Sequence, residues 1–97
     1  MNIYSVSRHP DDDPDYDSYL GFVCVAASEE EARHMWPSKD WSATWDEEDG
    51  YWADNFGDIV SSSTWTIHLD GLVVKHIGVT AVPDQPAGVV MSSFLAG

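Results

Sequence analysis

The chain has 97 residues, seventeen Asp and Glu against four Lys and Arg, and a net charge of -13 at pH 7. This length suits one domain with a single modest core, and an apolar fraction of 43% separates it from disordered acidic tails. Charge of this sign excludes a conventional nucleic-acid binder and an anionic membrane surface, and turns attention to basic partners: a nucleic-acid-binding protein, a cation or a positively charged assembly.

In chain order, Ile3 to Arg8 alternates Tyr4, Val6 and Arg8 against Ile3, Ser5 and Ser7, a short first strand stopped by His9-Pro10. The start Met-Asn-Ile-Tyr-Ser-Val lacks a basic region followed by an apolar one, and no run approaches transmembrane length. A cytoplasmic protein is expected. Asp11-Asp12-Asp13-Pro14-Asp15-Tyr16-Asp17 reads as a loop, because Pro and clustered Asp oppose both regular structures. A second strand starts at about Tyr19. Its run Leu20 to Ala27 is apolar on both faces, as expected of a strand covered on both sides, and it pairs most economically with the first as a hairpin.

Ser28 and Glu31 have capping-box spacing, in which the hydroxyl and the carboxylate each satisfy an orphaned amide. Ala32, Met35 and Trp36 then form one helical stripe, Glu29 and Arg33 an i,i+4 pair, and Pro37 the stop. Residues 38–63 read as an irregular insertion rich in Trp and acid, anchored by its aromatics and holding at most one helical turn. Trp41, Trp45, Trp52 and Phe56 would share a helix face, but Asp49-Gly50 and Asn55-Phe56-Gly57-Asp58 interrupt it. Thr64 to Leu69 alternates as a half-buried strand, Asp70-Gly71 signals a two-residue hairpin, Leu72 to Thr80 is the return, and Gly88 to Leu95 is a final strand. The expected architecture is α+β: a mainly antiparallel sheet of about five strands with one short helix on one face, in the order β-β-α-insertion-β-β-β. With the helix running back along the second strand, Asp11–Asp17 and Asp46–Asp49 would share one pole and Glu29–Glu31 would sit at the other.

The chemistry-bearing residue types form no catalytic pattern. Cys24, the single cysteine, sits among apolar residues in mid-strand and reads as a small buried hydrophobe. Asp13, Asp15 and Asp17 have the spacing that begins an EF-hand loop. However, Ser18 stands where Gly belongs and Cys24 where the bidentate Glu belongs. Starting at Asp11 instead puts Tyr16 and Phe22 at those places, so no metal site and no cofactor are expected. His9, His34, His68 and His76 lack zinc spacing, and counting from the expected turn sets His68 opposite Val73. The carboxylates come in polar runs, away from the apolar pockets that tune an acid or base, and no nucleophile motif is present; the chain reads as non-enzymatic. Five Trp in this length is high. Trp36, Trp41 and Trp65 read as core. Trp45 and Trp52, with Tyr51, read either as core or as anchors for a partner.

The first strand Met-x-Ile-Tyr-x-Val-x-Arg, the block YDSYLGFVCVAASEEEAR, IGVTA and the ending VVMSSFLAG resemble a family of small bacteriophage proteins. The likeness covers Met1 to Arg33 and Leu72 to Gly97 and omits the Trp-rich middle. The tail departs from the family at Leu95, where a polar residue such as Asn is expected. The resemblance transfers no catalytic residue; it implies phage or prophage origin and action inside the infected bacterium.

Together these features lead to an expected inhibitor of the anti-CRISPR type. It would occupy the basic surface of a host nucleic-acid-binding or defence protein, as a DNA mimic, without touching nucleic acid or membrane itself. Asp11, Asp12, Asp13, Asp15, Asp17, Asp46, Glu47, Glu48 and Asp49 would be its phosphate surrogates, and Trp45 or Trp52 its aromatic anchor. A minor virion or assembly component, pairing through its hairpin edge and tail, and a calcium-binding module are the alternatives. A homo-oligomer is left open.

Overall fold

The computed structural model describes residues 1–11, 18–38, 41–60, 64–81 and 86–95. Its elements are β1 (Asn2–Ser7), β2 (Ser18–Ala26), α1 (Glu29–Arg33), β3 (Ala43–Asp46), β4 (Tyr51–Asp54), a 3-10 turn (Leu69–Gly71), β5 (Val73–Val79) and β6 (Gly88–Leu95). The fold is α+β and mostly antiparallel, with six strands in two sheets among the described residues.

β1 and β2 form the expected antiparallel pair, from Asn2 opposite Ala26 to Ser7 opposite Gly21. Their edges are filled by the two later strands. β5 pairs with β1 and β6 with β2, both antiparallel, so the main sheet runs β5-β1-β2-β6. Gly21 permits the tight β1–β2 approach: a Cβ there would lie 2.6 Å from the Val6 carbonyl oxygen.

The pairing sorts side chains onto two faces. Tyr4, Val6, Phe22, Cys24 and Ala26 point to one, where Ala32, Trp36, Trp52, Trp65, Leu69 and Leu72 complete the core. Ile3, Ser5, Ser7, Gly21, Val23 and Val25 point to the other, joined by Lys75 of β5 and by Met91 and Ser93 of β6. Among the described residues no helix or second sheet packs on this second face, so the cover expected on both sides of β2 is described on one side only. Val25 is nonetheless buried on this face.

Ser28 caps α1, its hydroxyl accepting from the Glu31 N–H at 3.2 Å. The Glu31 carboxylate reaches back to the Ala27 N–H at 3.3 Å, one residue before the cap. The helix stops at Arg33, earlier than the stripe to Trp36 implied. His34 and Met35 donate to Glu31 and Ala32 in the tighter i to i+3 pattern, turning the chain so that Trp36 and Pro37 become buried.

Two segments depart from expectation. Residues 43–54 are a two-stranded ribbon, not an irregular insertion. Residues 64–69 are not a strand, and Asp70-Gly71 belongs to the 3-10 turn and not to a hairpin. Thr66 explains the second departure. Its hydroxyl accepts the His68 N–H at 3.0 Å, and its carbonyl is taken by the Trp52 indole at 3.1 Å, so side chains use backbone groups that a ladder would need. Trp65 and Thr66 are both buried, a pattern no alternating strand produces.

Candidate acidic and aromatic groove

The β3–β4 ribbon is built around its turn. Asp46 Oδ1 accepts from the Glu48 and Asp49 amides at 3.1 and 3.0 Å, and the Asp46 carbonyl accepts from Gly50 at 2.8 Å. Gly50, at φ 72°, supplies the left-handed residue that closes the loop. Asp54 repeats the device: its carboxylate accepts from Phe56 and Asp58, with Gly57 at φ 83°. Asp46 is thus half-buried and engaged in its own turn, while Glu47, Glu48 and Asp49 stand exposed at the tip. The Tyr51 phenol beside them is pushed up from its usual value by desolvation, then by the charges of Asp46 and Asp49 and a hydrogen bond with Asp46.

Trp45 and Trp52 are cross-strand partners with ring centroids 5.3 Å apart. Trp52 is 1% exposed and touches Trp36 edge-on at 5.3 Å, and Trp36 in turn meets Trp41 at 4.8 Å. Trp41, Trp36, Trp52 and Trp45 therefore form a row of touching indoles, buried in the middle and accessible at its ends. Trp52 is core and cannot serve as an exposed anchor. Trp41 is 42% exposed and does not lie in the core. Trp45, half-buried, keeps a surface open to a partner.

That surface lines a groove of about 490 Å³ shared by α1, the ribbon and the segment leading into the 3-10 turn. Glu30, Glu47 and Asp70 bring carboxylates to it, and His34, His68 and Arg33 stand among them. His34 lies between two of the acids, with Nδ1 3.5 Å from Glu30 and Nε2 3.6 Å from Glu47. The same Nδ1 is 2.8 Å from the Glu30 carbonyl, which can only accept, so this nitrogen carries the proton. The Asp46–Asp49 tip therefore sits beside Glu30 on the helix, whereas the sequence reading placed Glu29–Glu31 at the opposite pole. Across Ile67 and His68 a second groove of about 420 Å³ is lined by Arg8, His9 and Asp11. Asp11 is exposed, and its amide donates to His9 at 3.1 Å. Asp12, Asp13, Asp15 and Asp17, with the calcium-like spacing, lie outside the described residues.

Arg33 lines the groove as well and offsets part of its negative charge, and its guanidinium is held by other partners. The Arg33 guanidinium donates to the carbonyls of Leu69 and Leu72 at 2.9 and 2.8 Å and to Glu29 at 3.2 Å. Arg8 donates to the Tyr19 carbonyl at 2.6 Å and lies over the Trp65 ring at 5.2 Å. Both arginines are spent on holding segments together. Sequence reasoning missed Glu30, His34, His68 and Asp70 as groove residues, because only the docking of three distant segments brings them together.

Chemically, a half-buried indole with three carboxylates nearby suits a cationic side chain, through cation–π attraction and charge-assisted hydrogen bonds. Cys24 lies elsewhere, in the core. Burial first and then the charge of Glu31 push its thiol from 9.0 up to about 11, which suppresses the nucleophilic thiolate. Among the described residues no group of three or more His, Cys, Asp or Glu is arranged to hold a metal ion, and no helix is long and apolar enough to cross a membrane. No family model matches the chain, and no curated protein or solved structure matches it either.

Proposed function

We propose that this chain is a non-enzymatic, phage-encoded binding protein that inhibits a host nucleic-acid-binding or defence protein inside the bacterium. It does so by covering that protein's basic surface, in the manner of an anti-CRISPR inhibitor. The observation that carries this reading is the half-buried Trp45 in a groove rimmed by Glu30, Glu47 and Asp70. A lysine or arginine of the partner enters this groove, while Glu48, Asp49 and Asp11 extend the negative field in place of phosphates. The net charge of -13 supplies long-range steering.

The test begins with capture from host lysate at about 0.05 M and about 0.5 M salt, since screening shortens the reach of exposed charges. The captured partner is then titrated with purified variants. Trp45→Ala and the pair Glu47→Gln/Asp70→Asn are each expected to weaken binding by about tenfold or more, equivalent to roughly 1.4 kcal/mol. Binding that ignores both salt and these substitutions removes the proposal. A minor virion or assembly component is the second reading, favoured by the outer edges of β5 and β6, which pair with no further strand among the described residues. It predicts co-purification with particles through a salt-tolerant contact.

A further inference from the structure

The open face of the main sheet differs electrostatically from the rest of the molecule. None of the seventeen Asp and Glu falls within β1, β2, β5 or β6, and Lys75 stands exposed on the open face. A shallow apolar groove of about 290 Å³ runs over Gly21, flanked by Leu20, Val23 and Met91. Met91 is 61% exposed and Leu20 37%. Ile77 and Val90, at the irregular steps of the two edge strands, are 56% and 50% exposed.

We infer that two copies of this chain associate face to face through this sheet, Met91 of each entering the groove over Gly21 of the other. The charge distribution selects the occupant. A basic partner is drawn to the acidic side, whereas two copies, -13 against -13 in any orientation, repel least where the facing strands hold no carboxylate. The face whose strands carry no carboxylate is the one on which two such chains can meet, and a two-fold axis sets Met91 of each against the groove of the other.

The dimensions set the strength. Four strands about 4.8 Å apart and about six residues long at about 3.3 Å each present roughly 400 Å² in projection. Two such faces bury on the order of 800 Å², below the standard size for a stable complex, so the association is weak and reversible. Sheets packed this way stand about 10 Å apart with strands aligned to within about 30°.

Sedimentation equilibrium of the whole chain from roughly 10 μM to roughly 1 mM tests this, at about 0.05 M and about 0.5 M salt, where the Debye length falls from about 14 Å to about 4 Å. The expected result is a monomer–dimer equilibrium that tightens several-fold as salt rises, the opposite trend to the charge-driven partner complex. Met91→Lys and Leu20→Lys, both at exposed positions, abolish it while circular dichroism stays native. A monomer at every concentration in high salt overturns the inference, as does association that weakens with salt or survives both lysine variants. This surface is independent of the proposed function, because Glu47→Gln/Asp70→Asn changes partner binding and leaves self-association untouched.

Discussion

Cys24 and the tryptophans show how individual side chains are held. With its folded pKa raised to about 11 from 9.0, Cys24 contributes stability that is fully present below pH 9 and is lost as pH rises toward 11. Two pKa units correspond to at most about 3 kcal/mol. Urea denaturation across this window should show a downward slope that is shallower in Cys24→Ala, and thiol reagents should label Cys24 only on unfolding. The indoles differ in their partners. Trp52 donates to Thr66, whereas the Trp36 and Trp65 N–H groups, both buried, find no acceptor among the described residues. Trp52→Phe is therefore expected to cost about 1–2 kcal/mol more than Trp65→Phe in the same denaturation assay.

Among the elements, those with local signals were legible in the sequence. The alternation of β1, the apolar run of β2, the Ser28 cap and the bounds of β6 follow from periodicity and capping chemistry. The Asp49-Gly50 and Asn55-Gly57 signals in the middle were also visible, but as breakers of a helix; their real role is to close turns beside a ribbon. That ribbon has only four residues in each strand, too few to stand alone, and it forms because Trp52 reaches the core. Leu69 to Leu72 is equally non-local in origin. Arg33 fastens this turn by two carbonyl hydrogen bonds from a helix thirty-six residues earlier. Replacing the planar fork by Arg33→Lys should cost about 1–3 kcal/mol, and Arg33→Ala no less, read as a lowered urea midpoint.

For the molecule as a whole, charge and shape pull apart. Its surface repels itself, so thermal unfolding should move upward by several degrees between about 0.02 M and about 0.3 M NaCl, a shift that neutral osmolytes at matched osmolarity do not reproduce. The site was half legible at this scale: acid and aromatic residues stood out, while their assembly around Trp45 depended on how three segments dock. The sheet order has a kinetic consequence as well. β1 is made first yet lies between neighbours drawn from residues 18–26 and 73–79. Its second ladder requires closing a loop of some sixty residues, and β6 comes later still. β5 must therefore be synthesised before this interior strand is sheltered on both sides, and refolding falls in the millisecond-to-second class of long-range β topologies. Until then the nascent chain carries an uncovered Tyr4–Val6 edge, a template for mispairing that its carboxylates, by mutual repulsion, keep dilute.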